Sequence, residues 1–481
     1  MKESSRFYSS LGLLIILNVI IKPLWIFGID RQVQNVVGTA TYGIYFSLLN
    51  FSIVFSFLLD WGLTAFFNRQ LAANPGSFTD RISQFLFIKL LFALLYAGIV
   101  CGVAYLSGIR HWDILGYVII IQVLTSLFVF LRSIVTAHQW FNTDALLSVL
   151  DKALMILICG CLIYFPSFAG SGLTIEIFLL VQTGCTAFAV AVVLIVILRK
   201  GITFSFKTFT GNQQLFKSAL PFAIVVLLMS VHYRLDGFLL ERIHSNGAYE
   251  AGLYAGAYRL LDAANMMGYL LASFMLPFLT RQWSKGKMID QVVLGIRHLL
   301  LVASLAVIIT VVFLAPWIQE ILYHNTDKAA ISILQWCLPA IAGYSLIHIY
   351  GTVLTATGHI VQFGRITFLA VVLNIILNLL LIPGWGAKGC CFAALVSQVF
   401  YGVTTMLYAR KKPGINIHPR SLFMYIFIGV ILCLFYYLSM GVINNKWVLL
   451  GGAACVTIIL AISLNLVSIR NLKKMVDQKN L

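Results

Sequence analysis

Residues 43–66 read GIYFSLLNFSIVFSFLLDWGLTAF, and Asp60 is the one Asp, Glu, Lys or Arg in this stretch. An α-helix needs roughly 20 predominantly apolar residues to cross the hydrocarbon core of a bilayer. A helix that is apolar all around has no face for water and belongs in lipid or in a protein core. The stretch therefore predicts a membrane-spanning helix.

Similar stretches continue along the whole chain. The 481 residues are 60% hydrophobic and 10% charged, whereas soluble proteins are about 25% charged. Turn residues such as Pro383-Gly384 and Pro413-Gly414 separate the apolar runs. We predict an all-α integral membrane protein with about 14 transmembrane helices, near 9–29, 43–66, 82–107, 113–137, 145–165, 173–198, 216–240, 251–279, 291–314, 329–356, 361–382, 388–409, 421–441 and 446–468.

The basic residues predict the orientation of these helices. The net charge is +17. With the N-terminus inside, about two thirds of the Lys and Arg fall in cytoplasmic segments and about one fifth in external ones, as the positive-inside rule requires. Arg297 counts here among the cytoplasmic charges. We therefore expect both termini in the cytoplasm, joined by loops too short to hold a catalytic domain.

A weak internal repeat divides the chain. Asp30 precedes VGTATYGIYFSLLNF, and Asp236 lies in RLDGFLLE, before AGLYAGAYRLLDA. Each copy has an Asp near the outer end of one predicted helix and a Gly-x-Tyr that opens the next. Repeated halves with substrate bound between them are frequent in transporters, although chance similarity among apolar helices is the alternative. We predict two six-helix halves around a central cavity, residues 1–200 and 201–412, followed by two additional helices and a short tail in residues 413–481.

Charged residues within the predicted helices are the candidate functional residues. Each is costly in hydrocarbon, so each should face the protein interior or a wet cavity. Cationic side chains suit a phosphate or another anionic headgroup. The predicted substrate-binding residues are Lys22, Arg234, Arg259, Arg132 and Lys152.

Several of these cations have a structural interpretation as an alternative to substrate binding. Arg132 and Lys152 could extend to the cytoplasmic surface, and we expect Lys89 to do so. Arg259 and Asp262 are three residues apart on one helix and could pair with each other. Lys22 is too central to reach a surface easily.

Proline and carboxylates suggest moving parts. Pro23 follows Lys22 and removes a backbone donor from the first predicted helix, which predicts either a bend that moves or a static kink. Desolvation favours the neutral form of a carboxylate or one that holds a cation. Asp60, Asp236 and Asp262 are therefore candidate ion-coupling residues, with an ion pair to a nearby Arg or Lys as the alternative.

Three stretches carry a resemblance to a known family. They are VGTATYGIYFSLLNF with LLDWGL, RLDGFLLE…AGLYAGAYRLLD at the start of the second half, and NIILNLLLIPGWGAKGCCFAALVSQ. The chain resembles, over nearly its whole length, the Wzx-type polysaccharide flippases of the multidrug/oligosaccharidyl-lipid/polysaccharide (MOP) exporter superfamily. The resemblance implies transport of undecaprenyl-diphosphate-linked oligosaccharide from the cytoplasmic to the periplasmic leaflet of the bacterial inner membrane.

The same resemblance sets the expected partners. They are the lipid-linked substrate, membrane lipids, a proton or sodium ion for coupling, and polysaccharide polymerase and assembly proteins. We expect no cofactor, no metal and no nucleic acid.

Two other functions stay open. A cation-coupled multidrug antiporter of the same superfamily usually has fewer helices and an acidic cavity. A membrane-embedded polysaccharide polymerase needs an acidic catalytic cluster or a long external loop. The sequence contains no GxSxG, HExxH or GxxxxGK[ST] motif, so we expect a transporter and not an enzyme.

Overall fold

The computed structural model describes residues 20–64, 82–165, 172–202, 213–323, 327–416 and 418–464, with isolated residues in 13–18 and 67–71 and at 466. A π-helical segment, Leu24–Asp30, precedes the first α-helix, and a 3-10 turn, Ser56–Leu59, follows the second. The α-helices are α1 (Arg31–Val37), α2 (Thr39–Val54), α3 (Ile82–Leu106), α4 (Trp112–Ala137), α5 (Phe141–Tyr164), α6 (Ile175–Arg199), α7 (Gln213–Ile243), α8 (Gly247–Ser284), α9 (Asp290–Tyr323), α10 (Lys328–Cys337), α11 (Ile341–Ala356), α12 (Ile360–Lys411), α13 (Pro419–Ser439) and α14 (Lys446–Ser463).

The helices confirm the predicted all-α membrane fold. Among the described residues, 11 helical stretches are long and apolar enough to cross a membrane. Helix α12 contains two predicted spans, because its backbone departs from helical geometry at Gly386, where φ is 53°. In its described part the first predicted span changes to a π-helix after Pro23, and the second predicted span is broken after Val54. The number fourteen therefore stays a prediction.

The chain forms two compact units, Met1–Gly252 and Leu253–Leu481. In the first unit, α3, α4 and α6 share an apolar core that includes Phe85, Phe130 and Val193. In the second unit, α13 and α14 pack against α9 through residues that include Leu314 and Tyr436. The predicted division at residues 200 and 412 stays a prediction.

The glycines of the two Gly-x-Tyr copies, Gly43 and Gly252, lie close to facing backbone inside the first unit. A β-carbon added at Gly43 would lie 1.9 Å from the carbonyl oxygen of Ala248, and one added at Gly252 would lie 2.0 Å from that of Thr39. Small residues four apart let two membrane helices approach backbone to backbone. The Nε2 of Gln34 also donates to the Gly252 carbonyl oxygen at 2.9 Å. The glycines are thus required by the crossing of α2 and the first turns of α8.

Candidate functional site

The first described helix changes type directly after Lys22 and Pro23. The Arg31 N–H donates to the Ile26 carbonyl five residues back, which is the π-helical register. Proline cannot donate a backbone hydrogen bond, and single π-helical turns are frequent at functional sites. The regular α-helix is therefore interrupted where the sequence predicts a bend.

Three of the predicted cations lie near one another in the first unit. Arg132 on α4, and Lys152 with its neighbour Asp151 on α5, are close enough to act electrostatically on the Lys22 ammonium. Lys22 is more than a hundred residues from the other two cations in the sequence, and Arg132 and Lys152 lie on separate helices. Tertiary packing therefore brings the three together. We call Lys22, Arg132, Lys152, Asp144 and Asp151 the Lys22 cluster.

Two carboxylates of this cluster are already paired. Arg132 donates to both carboxylate oxygens of Asp144, from Nε at 2.8 Å and from Nη2 at 3.1 Å. Lys152 Nζ lies 3.1 Å from Asp151 Oδ2 and 5.2 Å from the centre of the Trp25 ring. A bidentate guanidinium–carboxylate pair and a cation over an indole are both favourable geometries.

Lys22 is the exception in the cluster. Among the described residues it has no ion-pair partner, and its half-buried side chain is within electrostatic reach of two cations, Arg132 and Lys152, and of Asp151. The two carboxylates of the cluster, Asp144 and Asp151, form ion pairs with Arg132 and Lys152. The cluster contains three cations and two carboxylates, and like charges held together at low dielectric repel one another. It therefore carries one positive charge that a bound anion would neutralise.

Asp60 lies at a break in the second predicted span. Helix α2 ends at Val54, and beyond the 3-10 turn Trp61 and Gly62 have φ of 47° and 79°. Lys89 of α3 forms an ion pair with Asp60 and is 5% exposed. The expectation that Lys89 extends to the cytoplasmic surface is therefore wrong, because its ammonium finds acceptors inside the protein.

The remaining predicted residues lie on two other helices. Asp236 on α7 is 2% exposed, and Arg234, two residues earlier on the same helix, is half-buried. Arg259 on α8 is 7% exposed, and Asp262 is half-buried one turn later. Each of the four interacts with other groups. Arg234 and Asp236 belong to the first unit, and Arg259 and Asp262 to the second.

Sequence reasoning missed a polar cluster in the second unit. Arg297, counted among the cytoplasmic charges, lies within α9 and is 1% exposed. Its Nη1 donates to the Tyr350 hydroxyl at 3.2 Å, and the adjacent His298 hydrogen bonds to the Tyr425 hydroxyl at 2.7 Å. The signal was the apolar run LGIRHLLLV at residues 294–302, which places Arg297 inside a helix that continues on both sides.

Comparisons with known proteins agree with this architecture. A family model described as polysaccharide biosynthesis protein matches residues 9–283. Comparison with curated sequences gave no match.

Solved structures with the same fold include three transporters. The chain resembles the lipid II flippase MurJ in an inward closed conformation, with a TM-score of 0.72 and 13% identity over 96% of this chain and 99% of MurJ. It resembles an inward-facing multidrug resistance MATE family transporter, with a TM-score of 0.61 and 14% identity over 84% of this chain and 98% of that one. It also resembles a MOP superfamily transporter from Pyrococcus furiosus, with a TM-score of 0.61 and 13% identity over 84% of this chain and 94% of that one.

The family model spans more than half of the chain, and the structural matches at these identities show a shared fold. Both agree with the resemblance found in the sequence. The protein therefore belongs to the polysaccharide biosynthesis protein family.

Proposed function

We propose that the protein is a flippase that moves undecaprenyl-diphosphate-linked oligosaccharide from the cytoplasmic to the periplasmic leaflet of the bacterial inner membrane. Family membership supports a role in polysaccharide biosynthesis, and the multi-pass fold shared with a lipid II flippase supports a lipid-linked substrate. In this proposal both termini are cytoplasmic, and a polymerase and assembly proteins use the delivered oligosaccharide.

The Lys22 cluster is the observation that carries the proposal. A diphosphate offers several anionic oxygens, which match a guanidinium and two ammonium groups held together. Lys22 has no ion-pair partner among the described residues, so it can bind a phosphate without breaking an existing pair. Arg132 and Lys152 would add attraction while their carboxylates hold them in place.

Arg234 and Arg259 extend the proposed anion path beyond this cluster. By the predicted topology they lie toward the outer ends of their helices. Asp236 and Asp262 are the proposed coupling residues, where a proton or sodium ion would bind. These four assignments rest on charge and on depth in the membrane.

Complementation of a flippase-null host tests the proposal. Surface polysaccharide is measured for Lys22→Gln, Lys22→Arg and Lys22→Glu variants, with protein abundance in the membrane measured in parallel. We expect Lys22→Gln to lower surface display about tenfold, because it removes one charge-assisted contact to phosphate. Lys22→Arg should retain most display, and Lys22→Glu should be the worst because it repels the diphosphate.

The matched control is Lys388→Gln, which removes the same charge from an exposed position on α12. It should leave surface display unchanged. Normal display by Lys22→Gln at normal abundance would reject the role of the cluster. Failure of the wild type to restore display, together with raised resistance of the host to cationic drugs, would favour the multidrug antiporter, whose fold the chain also shares.

A further inference from the structure

The break after α2 replaces regular helical hydrogen bonds by turn hydrogen bonds within the second predicted span. The chain passes through a 3-10 turn at Ser56–Leu59 and then through left-handed conformations at Trp61 and Gly62. Irregular backbone at membrane depth is tolerated where protein or a wet cavity supplies the missing partners. Asp60 supplies one of them, because its carboxylate accepts from the Thr64 N–H at 3.3 Å.

Three oxygen atoms of different chemistry converge at this break. The Lys89 ammonium donates to the Leu59 carbonyl oxygen at 3.0 Å, to the Ser126 hydroxyl at 3.1 Å and to the Asp60 carboxylate. Leu59 and Asp60 come from the break and Ser126 from α4. A carbonyl, a hydroxyl and a carboxylate are hard oxygen ligands of the kind that bind small cations, and unwound membrane helices use carbonyls in this way.

The Lys89 side chain reaches this oxygen set from within the protein. It is 4% exposed and lies 5.8 Å from the centre of the Phe130 ring. Asp60 is the charged group that acts on it. The Asp60 side chain is 37% exposed, so its carboxylate is only partly enclosed.

We infer that the break at Leu59–Asp60 is a monovalent-cation site whose occupant is the tethered ammonium of Lys89. The wild-type protein then needs no dissolved cation at this position. Any ion coupling must use other carboxylates, and the proposed function leaves Asp236 and Asp262 for that task. Removing the Lys89 charge should expose the oxygen set to sodium, which fits a carboxylate, a carbonyl and a hydroxyl.

Purified protein in detergent tests the inference without any transport measurement. The thermal midpoint Tm is recorded for wild type, Lys89→Met and the Lys89→Met/Asp60→Asn double variant. Each is titrated with NaCl against N-methylglucamine chloride at equal ionic strength. We expect a saturable rise of about 5 °C with sodium in Lys89→Met alone, because a ligand that binds only the folded state raises its stability.

The double variant is the matched control, because it keeps the methionine and removes the anionic ligand. A sodium response equal to that of wild type in Lys89→Met would overturn the inference, and so would a response retained in the double variant. If Lys89→Met folds in sodium but not in N-methylglucamine, the inference is supported. If it folds in neither, the oxygen set is not a sodium site.

A second variant adds a chemical rescue. Lys89→Cys should show the same sodium response, and alkylation of that cysteine with bromoethylamine should abolish it by restoring a tethered ammonium. Because the readout is sodium binding, a flippase assay that fails would leave this result untouched.

Discussion

The Lys22 cluster and the Lys89–Asp60 pair both place lysines inside the first unit, but their surroundings differ. Lys89 donates to three acceptors and is nearly enclosed. Lys22 is half-buried beside two further cations whose carboxylates are already occupied. The Lys89 ammonium has a counter-ion and hydrogen-bond acceptors within the protein, whereas Lys22 has no ion-pair partner among the described residues.

The difference shows that a charge within a membrane span does not by itself indicate a binding site. A buried cation with its own counter-ion and hydrogen bonds stabilises the fold. Removing one partner leaves an unpaired buried charge, which is strongly destabilising. A cation without such partners is better placed to bind a transient anion. The neighbours on other helices therefore decide the role.

Neutralising Asp60 should have the largest effect on stability, and it tests whether the two lysine sites differ. Asp60→Asn should lower the free energy of unfolding by about 3–5 kcal/mol, because it leaves the enclosed Lys89 ammonium without a counter-ion. Chemical unfolding in mixed micelles measures the loss. Lys89→Met should cost less, because the Asp60 carboxylate it leaves is 37% exposed and can be hydrated.

The double variant Lys89→Met/Asp60→Asn sharpens the same test. Replacing both partners of a buried pair is often nearly neutral, so the double variant should be more stable than Asp60→Asn alone. Equal stability of wild type and Asp60→Asn would show that the pair is hydrated and that the two sites do not differ.

The fold was accessible from the sequence because it rests on local apolar length. Runs such as residues 43–66 are long enough to span a bilayer and are interrupted by turn residues. The interruption at Asp60 was not accessible in the same way. It depends on left-handed backbone at Trp61 and Gly62, and tryptophan gives no local signal for that conformation.

For the candidate site, the sequence predicted which charged residues lie within spans but not how they pair. Depth along a helix suggested that Lys89 would reach the surface, but depth says nothing about an acceptor on another helix. The pairing of Arg132 with Asp144 follows from the packing of α4 beside α5. Arg297 was counted among the cytoplasmic charges although it falls within the predicted span 291–314. Its burial and its hydrogen bond to Tyr350 depend on packing against another helix, which the sequence alone does not show.

A second test loosens the Lys22 cluster. Asp144→Asn should lower the free energy of unfolding by about 1–3 kcal/mol, because the buried carboxylate holds Arg132 through two charge-assisted hydrogen bonds. The loss should be smaller than for Asp60→Asn, because the Arg132 side chain is 21% exposed and can still reach water. The variant also leaves three cations facing one carboxylate.

Inorganic diphosphate should therefore stabilise Asp144→Asn more than wild type. The rise in Tm on adding diphosphate measures this, with sodium sulfate at equal ionic strength as the comparison. Adding Lys22→Gln to Asp144→Asn should remove the extra rise. Identical diphosphate responses in all three proteins would place the anion elsewhere.

The smallest expected change in stability comes from Lys22→Gln alone. Lys22 has no ion-pair partner among the described residues, and two cations and one carboxylate, Asp151, act on it, so its removal breaks no ion pair and relieves more repulsion than it loses attraction. The free energy of unfolding should stay within about 0.5 kcal/mol of wild type, or rise slightly.

The diphosphate response of the purified Lys22→Gln protein should fall at the same time. A residue that binds a transient anion gives this split between stability and ligand response, whereas a structural residue such as Lys89 would lose stability. A large loss of stability in Lys22→Gln would therefore place Lys22 with Lys89 and remove the contrast between the two sites.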